Sequence, residues 1–177
     1  MEEKTGLEGY YSIVNNKKIR FGYTTGSCAT GAAKAAASML FTGKEQKYVS
    51  FMTPKGILLH LEILHITRGD GWVSCAIKKD AGDDPDATNG IEIFAKVEKI
   101  KKKGIFIEGG IGVGRVTKKG LEQPLGNAAI NKVPRAMIQR ELETICNDVD
   151  YEGGILVTVS VPKGEEIATK TFNPRLG

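Results

Sequence analysis

Apolar and polar residues alternate along several short segments of this 177-residue chain. The alternation is clearest at 57–66 and 91–100, where every second residue is apolar over most of the segment. A period of two residues is that of a strand with one buried face. Further strands are predicted where short apolar runs end at turn residues, at 47–52, 71–79, 104–109 and 154–162.

Two segments have helical features instead. Residues 26–43 are rich in alanine, with Ser27 or Thr25 available to cap the start and Gly43 to end the helix. Residues 133–147 carry apolar side chains at the spacing of one helix face. The sequence therefore predicts two helices among a larger number of strands.

Short turns join most of the predicted strands, and the lysine-rich segment 98–104 is typical of a solvated hairpin end. Short connections favour antiparallel or mixed pairing. We therefore expect an α+β fold, a two-layer domain with an antiparallel or mixed sheet and helices packed on one face. Neither an internal repeat nor a linker is evident, so residues 1–177 are expected to form a single domain.

The composition, 41% hydrophobic and 26% charged, is typical of a soluble globular protein. The chain has neither an apolar run of membrane-spanning length nor a secretory signal at its start, which favours a cytoplasmic protein without a membrane partner. Three widely spaced cysteines argue against a disulfide framework or a zinc site. The net charge of +4 suits an anionic small molecule, and scattered lysines without aromatic neighbours give no support to nucleic-acid binding.

The acidic stretch "DAGDDPDATNG" (80–90) contains four aspartates, namely Asp80, Asp83, Asp84 and Asp86. A polar turn requires only one or two such residues. Crowded carboxylates repel one another, and this raises the pKa of one of them toward the range of a proton acceptor. The residues alone leave three interpretations open: a turn, a cation site, or catalytic carboxylates.

No metal site of a familiar pattern is predicted. Counted from Asp84, a calcium loop would need glycine at the sixth residue and glutamate at the twelfth, where Asn89 and Ala95 stand instead. His60 and His65 are an odd number of residues apart in the predicted strand 57–66, so we expect their side chains on opposite faces.

Two further stretches are candidates for ligand binding. The first is "GYTTGSCATG" (22–31), where a helix start offers hydroxyl groups and N–H groups to an anion. Its candidate substrate-binding residues are Thr24, Thr25, Ser27 and Cys28. The second is glycine-rich (108–126) and is either a flexible loop or a backbone that approaches a cofactor closely, at Gly110, Gly112 and Gly114. Cations nearby can pair with substrate carboxylates: Arg115, Lys118, Lys119 and, on the second helix, Arg135.

Together, five stretches resemble one protein family. They are "RFGYTTGSCATGAAKAA" (20–36), "KKDAGDDPDATNG" (78–90), "GVGRVTKKGL" (112–121), "AINKVPRAMI" (129–138) and "NPRLG" (173–177). In this order they are similar to the cobalt-precorrin-5B C1-methyltransferase (CbiD) family. The resemblance implies methyl transfer from S-adenosylmethionine to C1 of cobalt-precorrin-5B, giving cobalt-precorrin-6A on the anaerobic route to cobalamin. Cobalt enters only as part of the corrinoid substrate.

The resemblance has two departures. Asn89 stands where the family has a histidine, and the chain ends at a motif after which the family continues. We therefore expect an N-terminal portion of a longer two-domain enzyme. Two other functions compatible with the residues are a non-catalytic module that binds an anionic ligand and a Mg²⁺-dependent hydrolase that uses the acidic stretch. The sequence does not define an oligomeric state.

Overall fold

Two helices and nine strands make up the part of the chain that the computed structural model describes, residues 5–8, 11–14, 16–20, 22–80, 82, 90–113 and 130–162. In chain order they are β1 (Tyr11–Val14), β2 (Lys17–Arg20), α1 (Thr25–Thr42), β3 (Tyr48–Met52), β4 (Leu58–Glu62), β5 (Leu64–Gly69), β6 (Trp72–Lys78), β7 (Glu92–Ile100), β8 (Gly104–Gly109), α2 (Lys132–Asp148) and β9 (Gly154–Ser160).

The main sheet has five strands in the order β5-β6-β7-β9-β8. All neighbours pair antiparallel except β8 and β9, which are parallel. Parallel neighbours need a crossover connection, and the segment between β8 and β9 contains α2. The prediction of a hairpin end at 98–104 is therefore wrong, because β9 lies between β7 and β8.

Two small antiparallel hairpins, β1–β2 and β3–β4, accompany the main sheet. The sequence did not predict the first. The predicted single strand 57–66 divides at Ile63 into β4 and β5, which belong to different sheets. His65, just after the break, has a φ of 52°, a left-handed conformation that interrupts a regular strand. The two histidines consequently do not share a strand.

Helix α1 is buried on almost all sides. Eleven of its residues are buried, and most of them are alanine. A Cβ atom at Gly31 would lie 2.6 Å from Ile77 Cδ1 of the main sheet and 3.0 Å from Phe51 Cε1 of the β3–β4 hairpin. Only small side chains allow a helix to lie this close to both.

The two helices lie side by side and run in the same direction. At their N-terminal ends a Cβ atom at Gly26 would be 2.6 Å from Pro134 Cγ. Farther along, Lys34 Nζ lies 3.3 Å from Glu141 Oε2. The core-facing side chains of the sheet pack beneath both helices in one hydrophobic core. The predicted α+β fold with a mixed sheet and helices on one face is confirmed.

Within the described residues, neither helix is long and apolar enough to cross a membrane.

Candidate functional site

The termini of four strands and the starts of both helices lie together along one side of the main sheet, where its strands begin or end. The register pairs Lys78 at the end of β6 with Glu92 at the start of β7. The last residue of β9 pairs with Phe94 of β7, and the end of β8 lies beside the end of β9. We call this the site edge: the described residues 22–28, 78–82, 90–92, 109–113, 130–135 and 159–162.

Two hydrogen bonds fix the start of α1 to the end of β6, and a third holds the Asp80 side chain. The Tyr23 N–H donates to Asp80 O at 2.9 Å, and the Tyr23 hydroxyl donates to Lys78 O at 3.0 Å. The Asp80 carboxylate accepts from the Gly82 N–H at 2.8 Å through Oδ1. Asp80, the first of the predicted catalytic acids, is therefore held at both its backbone and its side chain.

Thr24 caps α1, so the prediction of Ser27 or Thr25 as the cap is wrong. The Thr24 Oγ1 atom accepts from the Ser27 N–H at 3.0 Å. The Thr24 carbonyl accepts from the Cys28 N–H at 3.0 Å. Among the described residues the N–H groups of Thr25 and Gly26 have no hydrogen-bond acceptor, and they lie at the positive end of the helix dipole. The predicted ending at Gly43 is confirmed, with φ 70°.

The Cys28 side chain lies beneath the first turn of α1 and is fully buried. Burial raises the pKa of its thiol to about 12, although the charge of Lys79 opposes this shift. The thiol is therefore neutral and offers no surface to a ligand in this structure. Cys28 contributes packing here, and the hydroxyl of its neighbour Ser27 is engaged with Thr24 at 3.1 Å.

Two of the glycines predicted to bind a cofactor continue β8 into a turn. The Gly110 N–H donates to Val159 O at 2.7 Å, and a Cβ atom at Gly110 would collide with Ser160 Oγ. Gly112 has a φ of 77°, which favours glycine. Both glycines thus have a structural reason to be glycine.

Arg135 joins the start of α2 to the edge strand β8. Its Nε donates to Ile130 O at 2.7 Å, and its Nη1 to Ile107 O at 3.5 Å. The same guanidinium borders a cleft of about 350 Å³. That cleft is lined by Ile105, Ile107, Lys132, Arg135, Ala136 and Gln139. Arg135 therefore stabilises the fold as well as facing a space that a ligand can enter.

A second cleft, of about 370 Å³, opens beside Asp80. It is lined by Tyr23, Glu62, Leu64, Lys78, Lys79, Asp80 and Gly90. The sequence did not single out Lys79, which is only 8% exposed. A signal was available, because the alternation of β6 places residue 79 on the core-facing side, where a charge is unusual.

Apolar side chains are also exposed at the site edge. Ile111 is 71% exposed and Val133 is 55% exposed. An edge that combines apolar side chains with cations and helix N-termini can bind a ligand that has both apolar and anionic parts.

Seven of the predicted site residues lie outside the described residues. They are Asp83, Asp84, Asp86, Gly114, Arg115, Lys118 and Lys119. The described residues next to them in the chain, Gly82, Gly90, Val113 and Ile130, belong to the site edge. In the described part of the chain, no group of three or more histidine, cysteine, aspartate or glutamate residues could hold a metal ion.

The fold and the site edge define an α+β domain suited to an anionic ligand, and the comparisons identify its family. The chain belongs to the CbiD family, which matches residues 12–177. It is 54% identical over 167 residues to the cobalt-precorrin-5B C(1)-methyltransferase of Ruminiclostridium cellulolyticum, covering 94% of this chain and 43% of that protein. The enzyme of the same name from Thermoanaerobacter sp. is 53% identical, with 94% of this chain and 45% of that protein covered.

A solved structure agrees with the family assignment. The crystal structure of cobalamin biosynthesis protein CbiD from Archaeoglobus fulgidus matches with a TM-score of 0.64 and 31% identity, over 96% of this chain and 53% of that one. The chain thus spans less than half the length of the two curated relatives.

The burial of the thiols predicts their reactivity. Cys28 and Cys75 each have a pKa raised to about 12 by burial, so their thiolate fraction at pH 8 is on the order of 10⁻⁴. Cys146 is only partly buried. We expect an aromatic disulfide reagent at pH 8 to label Cys146 in the folded protein and all three cysteines in guanidinium. Mass spectrometry that finds Cys28 labelled in the folded protein as fast as Cys146 would contradict this structure of the α1 start.

Proposed function

We propose that this chain takes part in the S-adenosylmethionine-dependent methylation of C1 of cobalt-precorrin-5B, which gives cobalt-precorrin-6A in anaerobic cobalamin biosynthesis. One observation carries the proposal: the predicted site residues that the structure describes, on four separate elements, all lie at the site edge. The names of the relatives supply the reaction.

The site edge suits the chemistry of the substrate. A corrinoid precursor carries acetate and propionate groups around an extended ring. The starts of the two helices lie together at Gly26 and Pro134, so the positive ends of both dipoles face the same region. Carboxylates of the substrate would bind there and to the cations of α2, Lys132 and Arg135. Each charge-assisted hydrogen bond typically contributes about 1.5–3 kcal/mol to binding.

The apolar side chains of the site edge suit the ring itself. Ile111 follows β8, and Val133 lies in the first turn of α2, so the two come from neighbouring elements. Burial of both against the ring would contribute about 25 cal/mol for each Å² of apolar surface removed from water. We propose that these residues bind the ring face while the cations bind its carboxylates.

The methyl transfer itself is a displacement at carbon. S-adenosylmethionine would supply a methyl group bonded to a positively charged sulfur. A pair of π electrons at C1 of the ring would form the new carbon–carbon bond while the carbon–sulfur bond breaks, and sulfur would leave as a neutral thioether. Such a step gains most from alignment of the two reacting atoms, which can supply about 7–11 kcal/mol of the barrier. We propose that the glycine backbone at Gly110, Gly112 and Gly114 approaches the donor.

The acids have a separate role in this proposal. Addition of a methyl group leaves the conjugated ring electron-poor, and a fixed carboxylate stabilises that charge or takes a proton from the ring. Asp80 is held for this by Tyr23 and Gly82. We propose the same function for Asp83, Asp84 and Asp86. The cobalt belongs to the substrate and is not a resident metal of the protein. The cysteines are unpaired, which fits a reducing cytoplasm.

The function is tested by following the labelled methyl group of S-adenosylmethionine into cobalt-precorrin-5B. We expect this chain to bind the corrinoid, seen as a change in its visible spectrum. We also expect methyl transfer to C1 at a rate below that of the full-length relative from Ruminiclostridium cellulolyticum, the positive control. Absence of corrinoid binding would reject the proposal in favour of the binding-module alternative. A reaction that needs no methyl donor and that a chelator abolishes would reject it in favour of the hydrolase alternative.

The acidic stretch gives a second test. Asp83→Asn and Asp84→Asn keep the size of the side chain but remove its charge and basicity. If these carboxylates serve the reaction, kcat should fall by a factor of about 10² to 10⁴. A melting temperature close to that of the unsubstituted protein would show that the loss of rate is not a loss of folding.

The matched control for these variants is Asp70→Asn. Asp70 lies in the exposed turn between β5 and β6, at the opposite end of β6 from Asp80. The methyl-transfer rate of the Asp70→Asn protein should equal that of the unsubstituted protein. All variants are compared in the same form of the protein, the one that transfers the methyl group. Full rates in both Asp83→Asn and Asp84→Asn would reject a catalytic function of these two carboxylates.

A further inference from the structure

His65 has an unusual backbone conformation for a residue inside a strand. Its φ is 52°, in the left-handed region, and the pairing of β5 with β6 shifts register between Leu64 and Thr67. Among the described residues, the other non-glycine residues with positive φ are Asn16 and Asp150, and both lie outside the strands and helices. A strained residue persists only where the surrounding structure holds it, and such residues concentrate at functional sites.

The imidazole of His65 lies across β6 on the face of the main sheet opposite the helices. The register places Leu64, Ala76 and Phe94 in one row over β5, β6 and β7. The side chain of Ala76 is small enough for the imidazole to reach β7, where it stacks on the Phe94 ring at a centroid distance of 5.8 Å and an interplanar angle of 14°. Its Nε2 atom lies 2.7 Å from Oε2 of Glu92. Two contacts with β7 therefore fix the position of the ring.

The contact with Glu92 decides which ring nitrogen of His65 is available. An ionised carboxylate only accepts hydrogen bonds, so Nε2 carries the proton and, in the neutral imidazole, Nδ1 keeps its lone pair. Among the described residues Nδ1 has no hydrogen-bond partner, and the side chain is 52% exposed. The chain thus presents a nitrogen lone pair that is held in a fixed direction and is open to a ligand.

This nitrogen lies beside the proposed substrate site. Leu64, the residue before His65, lines the cleft beside Asp80. Lys78 lines it too, and Lys78 pairs with Glu92 across the strands. Glu92 itself belongs to the site edge. A large ring bound at this cleft of about 370 Å³ would extend over its rim toward the imidazole.

A single imidazole suits a metal that arrives with most of its ligands. Within the described residues, no group of three or more histidine, cysteine, aspartate or glutamate residues could hold a metal ion, so His65 offers one ligand and not a set. In a corrinoid the ring nitrogens fill the equatorial positions of the cobalt, and an axial donor completes the coordination. Imidazole is a suitable donor for first-row divalent metals. Metal-ligating histidines commonly donate their other N–H to a carboxylate, as His65 does to Glu92.

We propose that Nδ1 of His65 is the axial ligand of the cobalt in the corrinoid substrate, with Glu92 as the positioning residue that orients the imidazole. The inference rests on the proposed function, because the substrate brings the cobalt. The Nδ1 lone pair forms the bond to cobalt in place of a bound water, and neither partner is oxidised or reduced. The bond adds specificity, since a ring without metal binds through its carboxylates and apolar surface alone.

Electron paramagnetic resonance of a cobalt(II) corrinoid tests the bond directly. Cobyrinic acid, reduced to cobalt(II) before this chain is added, has no axial nitrogen ligand of its own. We expect binding to the chain to add a nitrogen splitting to the cobalt lines. We expect that splitting to change when the histidines of the chain carry ¹⁵N.

The chain has two histidines, which provide a matched pair of variants. His65→Asn should abolish the nitrogen splitting, and asparagine tolerates the left-handed backbone at this position. His60→Asn, the control on β4, should keep the splitting.

Affinities for rings with and without metal separate ligation from packing. For cobyrinic acid we expect His65→Asn and Glu92→Ala each to raise Kd about tenfold or more, as changes at a metal-ligating histidine and its carboxylate do. For hydrogenobyrinic acid, the metal-free ring with the same carboxylates, neither variant should change Kd appreciably. A histidine that only supported the fold would affect both affinities equally.

Several results would overturn the inference. Cobyrinic acid that binds without a nitrogen splitting, or with one that persists in His65→Asn, would do so while leaving the proposed function standing. An equal loss of affinity for both rings in His65→Asn would indicate a merely structural histidine. Absence of binding by either ring would reject the corrinoid-binding step of the proposed function together with the axial bond. If His65→Asn folds poorly, the ¹⁵N comparison on the unsubstituted chain still decides the role of the imidazole.

Discussion

The close approach of α1 to the main sheet determines where the site edge lies. The helix has alanine or glycine at most of its buried positions, and Cys75 Sγ donates to the Ala32 carbonyl at 3.2 Å. Because Tyr23 bonds to Asp80 and Ala32 bonds to Cys75, α1 runs antiparallel to β6. This direction brings the start of the helix to the end of the strand, where the acidic stretch begins.

The parallel arrangement of the helices gives the molecule two electrically different ends. Both helix starts, with their partial positive charge, lie at the site edge, and both helix ends lie at the other side. Lysines accumulate at that other side, where Lys99 Nζ lies 5.2 Å from the Phe41 ring centroid and 5.8 Å from that of Tyr151. Those cations offset the negative helix ends, so they are explained without a ligand. We propose an anionic substrate as the counterpart of the positive helix ends at the site edge.

The sequence predicted what local patterns determine. The alternation of apolar residues located most strands, and the ending of α1 at Gly43 was correct because glycine favours the left-handed conformation found there. The place of β9 between β7 and β8 depends on long-range pairing through a crossover, which no local pattern encodes. The sequence also did not predict the break at Ile63. The apolar alternation continues through it and gives no sign of the left-handed conformation of His65.

The candidate site was predictable as a set of segments but not as a set of contacts. Thr24 rather than Ser27 caps α1, since the helix begins one residue earlier than predicted. Cys28 faces the core, a direction that depends on how the helix lies on the sheet. Lys79 was missed because a lysine in a charged stretch is expected to be solvated, and only the continued pairing beyond β6 buries it.

We propose that the corrinoid binds at the site edge. A hydrogen-exchange map recorded with and without cobyrinic acid, a cobalt corrinoid that carries free carboxylates, tests this binding. We expect protection of the amides in 22–28, 79–82, 109–113 and 130–135, and much weaker protection with the heptamethyl ester, which lacks the negative charges. Protection confined to the β3–β4 hairpin or to the turn at 101–103, or equal protection by acid and ester, would contradict the account.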